Sequence, residues 1–387
     1  MPTATFQIPS TLLFGAGAIE ELPAQVKRLQ AGRVLLVTDA FFARSGLADR
    51  SVRALEQQNV QVTVFSEVQP DPTDRNVADG LRLLRASQAE LVIAIGGGSP
   101  IDTAKAIAIL ATNAEPLSQY AGYHKIPKAG VPLIAIPTTA GTGSEASRVT
   151  VITDTARDVK MMILDAHLVA TVAIVDYELT LSMPAPLTAH VGVDTLTHGI
   201  EAYVSRKASG LTDPIALSCI RLTANHLFTA WSQPDDQAAR EAMALAACQG
   251  GMAFSNSSVC LVHGMSRPIG ALFHLPHGLS NAVLLPTVTR FSLPGAMARY
   301  ADVARSMGYA RPDDSDDMAT TQLVEGLETL NARLQVPRLR DCPGMQWDRF
   351  EAALEKMAQD ALASGSPQNN PVVPTAAQIV ELYRQAW

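Results

Sequence analysis

Cysteine is scarce in this chain, with four in 387 residues. Cys219, Cys248, Cys260 and Cys342 stand far apart with no Cys-x-x-Cys pair, which argues against a disulfide framework and a cysteine-built structural zinc. Aromatic residues make up only 5%, so Ala, Leu, Val and Ile must carry the packing, a composition for helices and buried parallel strands rather than a β-sandwich. Basic runs are absent and the formal charge is −7, which excludes nucleic acid or an anionic membrane as the expected partner. Apolar runs never reach the roughly 18 residues that a membrane span needs. The opening segment MPTATFQIPSTLLFG has neither a charged start nor a long apolar stretch, so no secretory leader is expected and the cytoplasm is the expected compartment.

What is present is apolar bulk, 47% of the residues, in a chain long enough for two domains. The first half alternates short apolar runs with amphipathic stretches. Arg33–Thr38, Val60–Phe65, Leu91–Ile95 and Val131–Ile136 read as strands; Leu47–Gln58, Thr73–Ala86 and Ser99–Leu110 read as helices. Such alternation predicts a parallel sheet covered on both faces. From Pro184 the apolar residues recur at helical spacing and β-branched runs thin out. The expectation is an α/β dinucleotide-binding domain over 1–181 and an all-helical metal- and substrate-binding domain over 182–387. Ser364–Pro374 (SGSPQNNPVVP) reads as a low-complexity loop before a short closing helix.

Gly96-Gly97-Gly98-Ser99-Pro100-Ile101-Asp102 joins a buried strand to a helix. Glycine lets backbone approach a phosphate closely, and free N–H groups with the helix dipole favour an anion there. Ser99 is the expected N-cap, Pro100 the first helical residue and Asp102 the partner in a capping-box-like pair. A tight turn that binds nothing is the competing reading. Asp39 closes an earlier strand, where a carboxylate accepts hydrogen bonds from ribose hydroxyls and repels a 2′-phosphate, favouring NAD over NADP; a capping aspartate is the alternative. The loop Pro137–Glu145 (PTTAGTGSE) is dense in hydroxyls and glycines and suits wrapping of a cofactor.

Asp194 and His198 are spaced i, i+4 and so share one helix face. His263 and His277 bracket the stretch HGMSRPIGALFHLPH. Three imidazoles and one carboxylate suit Zn²⁺ or Fe²⁺ and leave a coordination position open. Each histidine alone is more often a core or surface group, and His124, His167, His190 and His226 are read that way. His274, three residues before His277, is a rival ligand or a group near substrate.

With these residues in hand, the chain resembles the iron-containing (group III) alcohol dehydrogenase family, which includes lactaldehyde reductases and propanediol dehydrogenases. The resemblance spans nearly the whole length. It rests on GGGSPIDTAK (Gly96–Lys105), IPTTAGTGSE (Ile136–Glu145), GVDTLTHGIEAYVS (Gly192–Ser205) and HGMSRP…LPHG (His263–Gly278). It implies the dehydroquinate synthase-like architecture, with an α/β dinucleotide-binding domain followed by an all-helical domain and a cleft between them. It implies one divalent metal on Asp194, His198, His263 and His277, and NAD on Asp39, Gly96, Gly97, Gly98, Ser99, Asp102, Thr138, Thr139, Thr142 and Lys160. The implied activity is NAD(H)-linked oxidation of a small alcohol or reduction of an aldehyde, in a homo-oligomer that is at least a dimer. Two departures stand out. Where many relatives carry a histidine four residues after the third ligand, this chain has Arg267, whose fork would suit a substrate with an acidic tail or pair with a neighbouring group instead. Where several relatives carry proline, it has Tyr177. A lyase using bound NAD transiently, as dehydroquinate synthase does, is a rival function, and a non-catalytic metal- or nucleotide-binding protein is another.

Overall fold

Strands buried on both faces should be apolar at consecutive positions, and the first half of the chain obeys this rule. In the computed structural model, which describes residues 3–157 and 159–387, nine strands are found among the described residues: β1 (Thr11–Phe14), β2 (Arg33–Asp39), β3 (Gln61–Val68), β4 (Leu91–Gly96), β5 (Gly122–Tyr123), β6 (Leu133–Pro137), β7 (Val149–Asp154), β8 (Val159–Leu164) and β9 (Val172–Val175). Six form one parallel sheet in the order β1-β9-β6-β4-β2-β3. Successive side chains point to opposite faces. Leu35, Val37, Val92 and Ala94 therefore join one core with Leu81, Leu84, Ile101 and Ile107. Val34, Leu36, Leu91, Ile93 and Ile95 join another with Leu22, Val26 and Leu55.

β2 and β4 are neighbours, with Val34 opposite Leu91 and Val37 opposite Ala94. Their carboxyl ends, Asp39 and Gly96, consequently lie along one edge of the sheet. The chain places β3 on one side of β2 and β4 on the other, so this is a switch point, where open α/β sheets bind ligands. The small second sheet, β5-β8-β7, was not expected. Its β7 and β8 form an antiparallel hairpin with Thr153 opposite Lys160.

The chain divides into two compact units, Gln7–Thr180 and Leu181–Trp387, the latter joined by the N-terminal residues up to Phe6. Among its described residues the second unit contains helices and no strands. Its first helix, Ala185–Val204, follows Pro184 at the N-cap and is buried nearly all round. Helices Asp213–Ser232 and Gln237–Asn256 pack against it. Small residues make that approach possible: a Cβ on Gly199 would come within 2.9 Å of Ile220 Cγ1 and 3.1 Å of Cys219 Sγ. The loop expected at 364–374 is no loose surface segment. Ser366, Asn369 and Asn370 are buried, and Asn369 and Asn370 donate to Ser258 Oγ (2.7 Å) and Ser292 Oγ (2.9 Å). These polar side chains satisfy one another inside. The closing helix is Ala376–Ala386, capped by a Thr375–Gln378 box.

Candidate metal centre and phosphate-binding turn

Asp194, His263 and His277 offer donor atoms that all lie within 4.8 Å of one another. They come from three helices, Ala185–Val204, Leu261–Phe273 and His277–Ser292, because the HGMSRP…LPHG segment breaks into two helices at His274–Pro276. Asp194 Oδ1 is 3.5 Å from His263 Nε2, 3.9 Å from His277 Nε2 and 3.9 Å from His198 Nε2. Donors around one ion at about 2.1 Å stand about 3.4 Å apart if tetrahedral, so Asp194, His263 and His277 fit a metal with little adjustment, whereas His198, 3.9 Å from Asp194, lies outside this group of mutually close donors. His198 is held by ring stacking on His263 (centroids 4.7 Å, 25°) and on Phe254 (4.4 Å, 24°). Asp194, His198 and His263 are buried, whereas the His277 side chain is 39% exposed, so the centre opens on the His277 side.

The electrostatics suit a cation. Burial alone would raise the Asp194 carboxyl, but His198, His277 and His263 hold it well below the usual carboxylate range. Burial alone would lower His263, but the Glu201 and Asp194 carboxylates outweigh it and push the imidazole up to about 9. Asn281, one turn beyond His277, is wholly buried. Its Nδ2 donates to Asp194 Oδ1 at 2.6 Å and lies 3.2 Å from Nε2 of both His263 and His277, while its Oδ1 has no partner. A donor group thus meets the converging lone pairs where a divalent ion would satisfy them, and the residues fit the metal.

Glu201 was not singled out in the sequence. It lies three residues after His198 and seven after Asp194, on the same helix face, and that spacing was the available signal. Its Oε2 is 2.7 Å from His263 Nδ1. His274, the rival ligand, is exposed and left-handed at the end of its helix, outside the donor group. Arg267 lies one turn beyond His263 and its Nη1 donates to Ser366 Oγ at 2.9 Å. Tyr177 is buried in the short 3-10 turn Tyr177–Thr180.

In the α/β unit, the helix after β4 runs Gly98–Leu110, and its N-cap is Gly97, with no side-chain cap. Ser99 and Pro100 are therefore inside the first turn, and the expected cap at Ser99 is corrected. Asp102 makes no capping pair either: its Oδ2 accepts from Val151 N–H at 2.8 Å, because the unexpected β7 passes beside the helix. The uncapped first turn leaves its N–H groups free for an anion. Gly96 has φ +155, and a Cβ there would strike Pro100 Cγ at 2.6 Å. Gly97 and Gly98 lie against Thr139 and Thr142, so the turn and the hydroxyl-rich loop form one cradle. Thr138 is wholly buried behind them, its N–H bonded to Gly96 O at 2.9 Å. Asp39 caps the short helix Ala40–Arg44, with both bonds, from Phe41 N and Phe42 N, on Oδ1. Neither bond uses Oδ2. Lys160 pairs with Asp71 at 2.5 Å.

Comparison with known proteins agrees along the whole chain. The family described as iron-containing alcohol dehydrogenase matches residues 9–177, and the C-terminal model of the Fe-containing alcohol dehydrogenase family matches residues 188–387. A NAD-dependent methanol dehydrogenase of Bacillus methanolicus is 37% identical over 381 residues, 98% of this chain and 99% of that protein. A 1,3-propanediol dehydrogenase of Citrobacter freundii is 38% identical over 389 residues, covering 99% and 98%. The solved structure of a 1,3-propanediol oxidoreductase superposes with TM-score 0.96 at 36% identity, covering 100% of both chains.

Proposed function

The chain belongs to the iron-containing alcohol dehydrogenase family, and from that premise we propose that it interconverts a small alcohol and its aldehyde or ketone with NAD(H), around one divalent metal on Asp194, His198, His263 and His277. The observation that carries this reading is the convergence of a buried carboxylate and imidazoles on one point with one side open to solvent. When bound, the metal supplies Lewis acidity that favours the alkoxide form of an alcohol, and the nicotinamide accepts or returns the hydride.

The chain's own residues do the positioning. Asp194 supplies the negative charge, and the imidazoles complete a donor set that accommodates Fe²⁺ or Zn²⁺. The first-turn N–H groups of the Gly98–Leu110 helix and the glycines at 96–98 hold the pyrophosphate, with Thr139 and Thr142 alongside. Asp39 holds the adenosine ribose and disfavours a 2′-phosphate, so NAD is preferred to NADP. Lys160 steadies the cofactor from the hairpin. The proton released on alcohol oxidation leaves by the exposed side of His277. Four buried free cysteines support a reducing, cytoplasmic setting, no described helix is long and apolar enough to cross a membrane, and assembly as at least a dimer belongs to the same reading.

The test is reconstitution. The protein is stripped of metal, reloaded with Zn²⁺ or with Fe²⁺ under exclusion of oxygen, and assayed with short alcohols, diols and hydroxy acids and their aldehydes. Metal-dependent accumulation of NADH is expected. Turnover without net NADH would favour the lyase, and binding of metal and nucleotide without any turnover would favour the non-catalytic reading.

A further inference from the structure

Glu201 is a carboxylate in the interior of the helical unit, 3% exposed. Its two oxygens accept three hydrogen bonds. Val262 N–H donates to Oε1 at 2.6 Å, Cys260 N–H donates to Oε2 at 2.8 Å, and His263 Nδ1 lies 2.7 Å from Oε2. The first two bonds fall at the N-terminus of the Leu261–Phe273 helix, whose N-cap Cys260 provides no side-chain cap. A carboxylate from another helix satisfies donors that would otherwise be orphaned, and favours the positive end of the dipole.

We propose that Glu201 is the positioning residue of the metal centre, fixing His263 with its proton on Nδ1 so that Nε2 presents its lone pair to the ion. The proposal rests on the metal reading given above. A neutral imidazole has one N–H and one acceptor nitrogen, and whatever bonds to one fixes the other. Glu201 can only accept, so the nitrogen facing it must donate. His263 Nε2, on the far side of the ring, is the atom 3.5 Å from Asp194 Oδ1. The same carboxylate pins the backbone on either side of Leu261, so ring orientation and helix position are set by one group. Charge counts the same way: Asp194 and Glu201 together neutralise a divalent ion, whereas Asp194 alone would leave a buried positive charge.

Glu201→Gln tests this with little change of shape. A glutamine offers one carbonyl oxygen and one NH₂ to three donors. With the carbonyl at the Oε2 position, the NH₂ faces Val262 N–H. With the carbonyl at Oε1, the NH₂ faces Cys260 N–H, and Nδ1 must accept, which moves the imidazole proton to Nε2 and blocks the ligand atom. Zn²⁺ affinity of the full-length protein, measured by competition with a chromophoric chelator, is expected to fall about 10- to 100-fold in the variant. Equal affinity in wild type and Glu201→Gln would overturn the proposal while leaving the metal site standing; a wild type that binds no Zn²⁺ would instead sink the metal reading. A second measurement needs no variant. In the Zn²⁺-loaded wild type, ¹⁵N-labelled at histidine, His263 is expected to show a proton on Nδ1 and none on Nε2. A proton on Nε2, or metal on Nδ1, would refute the role of Glu201 whatever the variant does.

Discussion

A Cβ on residue 98 would lie 2.9 Å from Thr142 Cγ2 and 3.2 Å from its Oγ1. Two motifs more than forty residues apart are thereby packed so closely that a side chain at Gly98 must displace Thr142. Gly98→Ala should force the cradle open at a cost of about 1–3 kcal/mol. Taken from cofactor binding, that is a loss of about 5- to 150-fold in NADH affinity, readable by fluorescence titration. Metal affinity should not change. Unaltered NADH binding would show that the phosphates sit elsewhere.

Asp39 both caps a helix and stands at the carboxyl end of β2. Asn is as good an N-cap as Asp, so Asp39→Asn removes the charge and keeps the cap. The preference for NAD over NADP should narrow by about tenfold, equivalent to ~1.4 kcal/mol, with the unfolding midpoint unchanged. Steady-state kinetics with both cofactors decides it. A preference that survives would assign Asp39 to capping alone.

The central sheet was legible because β2, β4 and β6 are buried on both faces and read as unbroken apolar runs. Edge strand β1 (TLLF) is half-buried along its length and too short for any period to stand out. The β7–β8 hairpin alternates in burial but not in residue type, VTVITD and VKMMIL giving no clear apolar–polar period. Missing the hairpin caused the error at Asp102, since Val151 claims its carboxylate. At the candidate metal centre, the i, i+4 spacing singled out Asp194 and His198, and the structure brings Asp194 together with His263 and His277. Glu201 escaped because an acid on a helix usually faces water, although its spacing placed it on the face of Asp194 and His198, where it meets His263.

Asp102 and Lys105 make stability depend on pH. Burial raises Asp102 from 3.8 to about 6 against the pull of Lys105. Burial likewise lowers Lys105 from 10.5 to about 8, against Asp102 and Glu145. Between pH 3.8 and 6 the folded chain binds more protons at Asp102 than the unfolded chain, so this contribution to stability falls as pH rises. Between pH 8 and 10.5 the folded chain binds fewer at Lys105, so that contribution rises with pH. Urea unfolding of Asp102→Asn beside wild type isolates the acid limb. The wild type should lose stability relative to the variant as pH rises from 4 to 6, and parallel curves would contradict the assignment.

Loss of metal should lower the unfolding temperature in proportion to the logarithm of free metal, since saturation at a hundred times Kd is worth about 2.7 kcal/mol. Two ligand variants should separate binding from folding. His277 is partly exposed, so His277→Ala should weaken Zn²⁺ binding with little effect on the stripped protein. His263→Ala removes the buried partner of Glu201, and breaking a buried pair costs about 3–5 kcal/mol. The stripped His263→Ala protein should therefore unfold far below stripped wild type. Equal stability of the two stripped variants would mean that Glu201 is satisfied without His263.

Arg267 stands one helical turn after His263, yet its Nη1 is given to Ser366 Oγ at 2.9 Å, in the buried loop that Asn369 and Asn370 also fasten. A guanidinium anchored this way is a tie between the ligand helix and the loop, so its removal should act on every substrate alike. Arg267→Leu is expected to lower kcat/KM for a neutral aldehyde and for one with an acidic tail by similar factors, with a small drop in unfolding temperature. Ser366→Ala, which removes the acceptor and spares the charge, should reproduce part of that drop. A loss confined to the acidic substrate would reverse the conclusion. The arginine fork would then be reading a carboxylate or sulfonate, and the substrate class would narrow to small hydroxy compounds that carry one.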